Sequence, residues 1–142
     1  MANSLSAFLK ENKLSVENRK VVVSKSFVDE NGNPIEWEIK KLTAEEDEWV
    51  RKEATKKVPT GKRGQYREEL DADLYLLKMC IASVVFPPLM SAELQDSYGV
   101  KSGEKLLLAM LDGGEYTDLK TEVIEHNGFD VGMDELIEEA KN

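Results

Sequence analysis

The sequence predicts an α+β, mainly helical fold with one N-terminal β-hairpin followed by a compact array of about five short to medium helices. Two β-branched or alternating segments, 19–28 and 35–39, flank a cluster of turn residues. Beyond residue 43, apolar residues recur at spacings of three and four, which is the helical period. The length of 142 residues fits a single domain 1–142, with the N-terminal helix and hairpin over about 4–42 and the helical part over about 43–142.

The hairpin prediction rests on its turn as well as on its strands. Residues 29–34 are Asp-Glu-Asn-Gly-Asn-Pro, in which Asn31 and Gly32 can supply positive φ. Upstream, Ser4 is a helix-capping residue type. It predicts a short N-terminal helix with three apolar side chains on one side: Leu5, Phe8 and Leu9.

A capping box opens the helical part, since Thr43 is followed by Glu46 three residues later. Acidic residues occupy the first turn and basic residues extend to Lys56 and Lys57, an order that complements the helix dipole. The helix carries few apolar residues, so we expect one narrow buried stripe formed by Trp49, Val50 and Ala54.

The strongest helical pattern runs from about Glu68 to Phe86, after a loop predicted at 58–64. Pro87 ends it, and Cys80 within it is expected to be a small buried hydrophobe. Apolar residues at spacings of three and four define its main face: Leu70, Leu74, Leu77, Ile81, Val84 and Val85.

Shorter helices are predicted at 91–97, 102–111, 115–126 and 133–140. Glycine pairs or Asn-Gly steps separate them, with breaks expected at 113–114 and 127–128.

The chain is acidic, with 19 Lys plus Arg against 28 Asp plus Glu and a formal net charge of −9. That charge disfavours non-specific contact with nucleic acid and with anionic membranes. The longest apolar region, 74–90, is interrupted by Lys78 and then by two prolines, so it is too broken to span a bilayer. No signal peptide is visible, and a single cysteine excludes an intrachain disulfide. A soluble cytoplasmic protein is predicted.

Little in the sequence points to catalysis. The chain has one histidine and one cysteine, and no HExxH, paired CxxC or Walker A pattern. We therefore predict no catalytic, cofactor-binding or metal-binding residue and no enzymatic activity. His126 lies at a predicted helix end, where a cationic imidazole is favoured, and is interpreted as a capping residue.

A rival hypothesis uses a basic loop at 56–67, formed by Lys56, Lys57, Lys62, Arg63 and Arg67. Its Gly61-Lys-Arg-Gly64 matches the GxxG with which KH domains clamp a nucleic-acid backbone. This would make the chain a small nucleic-acid-binding or regulatory protein. The acidic net charge and the lack of apolar residues before the loop favour a solvated loop instead.

Several motifs together resemble a known family. They are Pro88-Leu-Met-Ser-Ala-Glu-Leu-Gln-Asp-Ser-Tyr-Gly-Val100, Gly103-Glu-Lys-Leu-Leu-Leu-Ala-Met-Leu111, Gly114-Glu-Tyr116 and Asn127-Gly-Phe-Asp130. With Leu5–Leu9 and Trp37–Glu46, they resemble the XkdN-like tail-assembly chaperones of contractile-tailed phages and PBSX-type defective prophages of Gram-positive bacteria. Within these motifs we interpret Gly99 and Gly103 as turns, and Leu94 and Tyr98 as core residues.

The resemblance implies a chaperone made in the bacterial cytoplasm and absent from the mature virion. It would bind the tape measure protein, keep it soluble and help tail-tube protein gather around it. A structural tail component is the alternative within phage biology, and self-association is left open. Independently of the resemblance, the helical spacing of a terminal apolar stripe, Met133, Leu136 and Ile137, predicts partner contact there, and packing of the stripe on the domain itself is the alternative. The last residues, Ala140-Lys-Asn142, are compatible with a slippery adenine-rich stretch and hence with a frameshifted longer form.

Overall fold

The computed structural model describes residues 4–129. This part of the chain is α+β, with five α-helices, five short strands and two 3₁₀ turns. The 3₁₀ turns span Leu5–Phe8 and Lys10–Asn12. The strands are β1 (Arg19–Val21), β2 (Trp37–Ile39), β3 (Thr55–Pro59), β4 (Tyr66–Leu70) and β5 (Val84–Phe86). The helices are α1 (Ala44–Glu53), α2 (Ala72–Ser83), α3 (Ala92–Ser97), α4 (Gly103–Met110) and α5 (Gly113–Asn127).

A three-stranded antiparallel sheet has the order β1-β2-β5. Val21 pairs with Trp37 at one end of the β1–β2 ladder, and Arg19 pairs with Ile39 at the other. The turn between these strands is organised by Asp29, whose carboxylate accepts hydrogen bonds from the amides of residues 31 and 33. The strands are only three residues long, so they are much shorter than the predicted 19–28 and 35–39.

The helix predicted over 68–86 is wrong at its C-terminal end, because the last residues of that range form strand β5. That helix, α2, ends at Ser83, and the chain turns extended at Val84 to pair with Ile39 of β2. The reason is local as well as tertiary. Val84 and Val85 are β-branched, and the residue before Pro87 is sterically kept out of the helical region.

Strands β3 and β4 form a second hairpin where a helix end, a loop and a helix start were predicted. Their ladder pairs Lys56 with Glu69 and Lys57 with Glu68, so opposite charges face each other across the strands. Two glycines in the connecting loop, Gly61 and Gly64, have φ of +94° and +75°, which other residues adopt poorly. The prediction that α1 extends to Lys57 is therefore wrong.

The first helix begins as predicted. Thr43 and Glu46 form a complete capping box at the N-terminus of α1. Val50 and Ala54 are buried, but Trp49 is 58% exposed and does not belong to the buried stripe. The stripe is narrower than predicted because Trp49 lies one residue, about 100° of helix rotation, from Val50.

Helices α4 and α5 follow each other closely where a glycine break was predicted. Asp112 caps α5 in a capping box with Glu115, and the glycines at 113–114 form its first turn instead of a connection. At the other end, Gly128 takes φ 75° as the left-handed C-cap, which confirms the predicted stop at 127–128.

The core forms around α2, which contacts α1, α4, α5 and β5. Tyr75, Leu76, Met79 and Cys80 of α2 are almost fully buried, which confirms the prediction for the cysteine. The core side chains from other elements include Trp37, Ile39, Val50, Leu106, Leu107, Leu119 and Val123. Among residues 4–129, no helix has both the length and the apolar character needed to cross a membrane.

Candidate functional site

An apolar groove, hereafter the groove, opens between the sheet and α3, with a volume of ≈ 330 Å³. It lies where the β1–β2 connection, the end of β5, α3 and the end of α4 meet. Its lining residues are Phe27, Ile35, Trp37, Phe86, Pro87, Leu94, Ser97, Tyr98 and Met110.

The β1–β2 connection brings two of these apolar side chains to the groove. The Ile35 amide donates to the Phe27 carbonyl at 2.8 Å, so these two residues face each other across the turn. Trp37, at the start of β2, is almost fully buried and lines the groove as part of the core. This side of the groove is therefore fixed by the sheet and by the turn at Asp29.

The opposite side is more exposed. Phe86 is 49% exposed and Tyr98 37% exposed, while Leu94 and Met110 are half-buried against the core. The prediction that Tyr98 belongs to the core is wrong, because Tyr98 follows the last residue of α3 and lies at the groove. Aromatic side chains that are half exposed at the edge of an apolar groove are typical of binding surfaces.

Short helix α3 is held in place by hydrogen bonds at its start. Ser91 caps the helix by accepting from the Leu94 amide, and the side chain of Gln95 donates to the Leu89 carbonyl at 2.8 Å. Gly99 has φ 68° and is the turn that was predicted. Gly103 is not a turn. It is the buried first residue of α4, and a Cβ there would lie 3.0 Å from Sδ of Met90.

The groove has little capacity for chemistry beyond binding. Of its lining residues, Ser97 and Tyr98 carry hydroxyl groups and Trp37 an indole N–H, and the Ser97 hydroxyl already donates to the Leu94 carbonyl. No carboxylate, imidazole, amine or thiol lines it. An apolar surface of this kind is suited to bury apolar side chains through the hydrophobic effect, and its lining contains no acid–base pair.

The basic residues predicted to bind nucleic acid lie on the β3–β4 hairpin, where acidic partners offset most of them. Lys56 lies 3.9 Å from Asp71 and Arg67 lies 3.6 Å from Glu69. Lys57 faces Glu68 across the strands. Only the loop cations, Lys62 and Arg63, are left without an acidic neighbour on the opposite strand.

The predicted capping role of His126 is wrong. Gly128 provides the C-cap, and Nε2 of His126 is buried without a hydrogen-bond partner among residues 4–129. Burial, and next the positive charges of Arg19 and Lys41, lower the pKa of His126 below its ordinary value. The lowered pKa disfavours the cationic imidazole that would act as a cap at this helix end.

The single cysteine, Cys80, is buried in the core. Burial raises the pKa of Cys80 to about 12, so its thiol stays protonated at physiological pH. Within residues 4–129, no group of three or more His, Cys, Asp or Glu side chains is placed to hold a metal ion.

The predicted partner-binding residues Met133, Leu136 and Ile137 lie outside the described residues. The groove was not predicted from the sequence, because its lining comes from five separate stretches of the chain. One signal was available in the turn-rich segment 27–35, whose two apolar ends flank residues that favour a turn.

Fold and groove together define a small α+β protein with a preformed apolar groove. The family model for the phage XkdN-like tail assembly chaperone protein matches residues 5–141. The chain therefore belongs to the phage XkdN-like tail assembly chaperone family.

Two relatives from Bacillus subtilis (strain 168) are similar over nearly the full chain. The phage-like element PBSX protein XkdN is 33% identical over 139 residues, which cover 97% of this chain and 93% of that protein. The protein YqbN is 32% identical with the same coverage. The crystal structure of YqbN superposes with a TM-score of 0.76 at 28% identity and covers 89% of this chain and 98% of that chain.

Proposed function

We propose that this protein is a non-enzymatic tail-assembly chaperone that binds the tape measure protein and keeps it soluble while tail-tube protein gathers around it. Membership of the tail assembly chaperone family supports the assembly role. The groove supports the binding role, and it is the observation that carries the proposal. It is an open apolar surface on a folded protein, which is the feature a client with exposed apolar side chains requires.

The client surface follows from the lining of the groove. Half-exposed Phe86 and Tyr98 stand beside a floor that includes Trp37, so the groove fits two or three large apolar side chains. An amphipathic helix presents such side chains at spacings of three and four. We propose that helical stretches of the tape measure protein bind here and are thereby kept from aggregating with one another.

The C-terminal stripe is a second proposed contact. Met133, Leu136 and Ile137 follow the helical spacing i, i+3, i+4, so on a helix they would present one apolar face to the same client. The proposed location is the cytoplasm of the bacterial host, with no place in the mature virion.

Co-expression with the tape measure protein from the same genome tests this proposal. We expect the tape measure protein to be insoluble alone, to become soluble in the presence of this chain, and to co-purify with it. Persistence of this chain in purified tail particles would favour a structural tail component instead. A tape measure protein that stays insoluble with this chain and with any frameshifted longer form would contradict the proposal.

A further inference from the structure

A second concave surface, hereafter the depression, lies beside the start of α1 and has a volume of ≈ 550 Å³. It forms where the N-terminal segment passes the connection between β2 and α1, and residue 10, residues 13–16 and residues 41–44 line it. Two of its apolar side chains are open to solvent, since Leu14 is 88% exposed and Val16 is 61% exposed. Exposed apolar side chains that share one concave surface are a feature of binding sites.

Among the described residues, the charged groups that line the depression are all cationic. They belong to Lys10, Lys13 and Lys41, and none of the three forms a salt bridge within residues 4–129. Acidic residues that are close in the sequence lie outside the lining: Glu11, Glu17, Glu45 and Glu46. Of these, Glu46 already accepts from Lys40 at 2.8 Å. The depression therefore combines apolar and cationic groups, which suits an acidic amphipathic segment.

The described part of the chain ends close to the depression. Asn127, the last residue of α5, accepts from the Leu42 amide at 2.7 Å, and Leu42 lines the depression. Phe129 packs against the core, so the start of the C-terminal segment, residues 130–142, is fixed to the domain. The four residues from Phe129 to Met133 can span up to about 14 Å. The C-terminal stripe is therefore within reach of the depression.

The C-terminal segment has the composition that the depression suits. On a helix, the spacing i, i+3, i+4 would place Met133, Leu136 and Ile137 on one face. At about 100° of rotation per residue, Asp134 and Glu139 would flank that face on its two sides. Over residues 130–142 there are five acidic side chains and one lysine. Apolar side chains bordered by carboxylates thus match a surface that presents apolar side chains and lysines.

We propose that the C-terminal segment docks in the depression of its own chain, with the stripe on Leu14 and Val16 and the flanking carboxylates beside the lysines. The end of α5 holds the segment next to its site, so the docking is intramolecular and the effective concentration of the segment is high. In the free protein, docking covers the stripe and keeps it from contact with other copies.

Docking also regulates the binding of the client, and this step rests on the proposed function, which assigns the same stripe to the client. The docked and client-bound states of the stripe exclude each other. A client that uses both the groove and the stripe must therefore bind the undocked fraction of the protein, which lowers its apparent affinity by that fraction. Docking leaves the groove open, so the client engages the groove first and the released stripe second.

The contact is small and opens without unfolding the domain. Its loss frees only the C-terminal segment, since the core of the described chain is complete without it. On heating, the segment leaves the depression before the domain unfolds. Docking is therefore measured at about 25 °C by a local probe and not by the melting temperature.

A spin label near the end of the segment tests the docking. Asn142→Cys accepts a nitroxide selectively, because the native thiol of Cys80 is buried. We expect paramagnetic broadening of the amide NMR signals of Leu14 and Val16, and none at Gly64, on the β3–β4 loop beyond the other end of α1. Absence of broadening at the depression, or broadening at the groove instead, would overturn the proposal.

Substitution of an apolar residue tests the contact in the labelled chain. Leu14→Ser should lower the docking equilibrium constant by at least about tenfold, because it removes a buried leucine from the contact. Leu5→Ser is the matched control, since Leu5 is 79% exposed in the same N-terminal segment but lies outside the lining. Broadening that Leu14→Ser leaves unchanged, or that Leu5→Ser reduces equally, would refute the assigned contact.

Charge reversal tests the role of the lysines. Lys13→Glu should weaken docking by about twofold or more at low salt, and the difference from wild type should shrink in high salt. Lys25→Glu changes the net charge equally at an exposed lysine of the β1–β2 connection, outside the depression, and should leave docking unchanged. Equal effects of the two reversals would contradict a local charge match.

Client assays separate this inference from the proposed function. Leu14→Ser keeps both the groove and the stripe, so it should bind tape measure protein fragments more tightly than wild type, because the stripe is already free. Leu5→Ser should bind like wild type. Unchanged or weaker client binding by an undocked Leu14→Ser chain would contradict the competition. Failure of every form to bind the client, with the broadening at the depression intact, would contradict the proposed function alone.

Discussion

Asn127, the last residue of α5, joins three parts of the fold, and its removal should be costly. Its side-chain carbonyl accepts from the Leu42 amide at 2.7 Å, and its amide donates to the Val123 carbonyl at 2.7 Å and to the Ser83 hydroxyl at 3.4 Å. In Asn127→Ala, the half-buried Leu42 amide loses its only acceptor among residues 4–129. An unsatisfied half-buried amide and the lost hydrogen bonds together should lower the free energy of unfolding by about 2 kcal/mol.

Urea unfolding followed by circular dichroism measures this loss, with equal slopes required for wild type and variant. Asn12→Ala is the control, because Asn12 also donates to a carbonyl, that of Ser6 at 2.7 Å, but on an exposed segment. We expect Asn12→Ala to lower the free energy of unfolding by less than about 0.5 kcal/mol. A loss at Asn127 no larger than that of the control would show that water replaces the side chain, and would refute the argument from burial.

Three further predictions concern the core, the pH dependence and the C-terminal stripe. Leu106→Ala should lower the free energy of unfolding by roughly 2–5 kcal/mol, because Leu106 is fully buried. Leu108→Ala, on the exposed side of α4, should lower it by less than about 0.5 kcal/mol. Equal losses for the two variants would contradict the packing of α4. Because the pKa of His126 lies below its ordinary 6.5 in the folded chain, the free energy of unfolding should fall as pH drops below 6.5. His126→Gln should flatten that part of the stability curve, and an unchanged slope would contradict the lowered pKa. Leu136→Ser with Ile137→Ser should weaken client binding without changing the melting temperature, whereas a large fall in melting temperature would identify both residues as core.

The helical half of the fold was largely predictable because its signals are local. The capping box at Thr43 and the Asn127–Gly128 stop depend on hydrogen bonds and dihedral angles within a few residues, and the structure has both. The burial of Cys80 followed from its place in an apolar helical pattern.

The second hairpin escaped prediction because its strands are charged and neither face is deeply buried. The segments 55–59 and 66–70 are rich in Lys, Arg and Glu, which favour helices when read one residue at a time. What stabilises them as strands is the pairing of Lys56 with Glu69 and of Lys57 with Glu68. A cross-strand pairing of this kind has no periodic signal in either segment taken alone.

The groove forms only when distant segments pack together, so local sequence patterns predict it even less well than the second hairpin. Phe27, Phe86 and Tyr98 meet there only because β5 joins the sheet and α3 packs beside it. Each of these aromatic residues taken alone is as consistent with a core position as with a binding surface. The partial exposure of Phe86 and Tyr98 distinguishes the two, and exposure follows from the assembled fold.

The most direct test of the account measures the affinity of purified chain for tape measure protein fragments by calorimetry, with Ser97→Arg compared against Thr121→Arg. Both variants place an arginine at an exposed position, one in the groove and the other on α5 away from it. The account predicts that Ser97→Arg weakens binding by at least about tenfold, about 1.4 kcal/mol, while Thr121→Arg binds like wild type. Equal affinities for wild type and both variants would contradict the assignment of the groove as the client-binding surface.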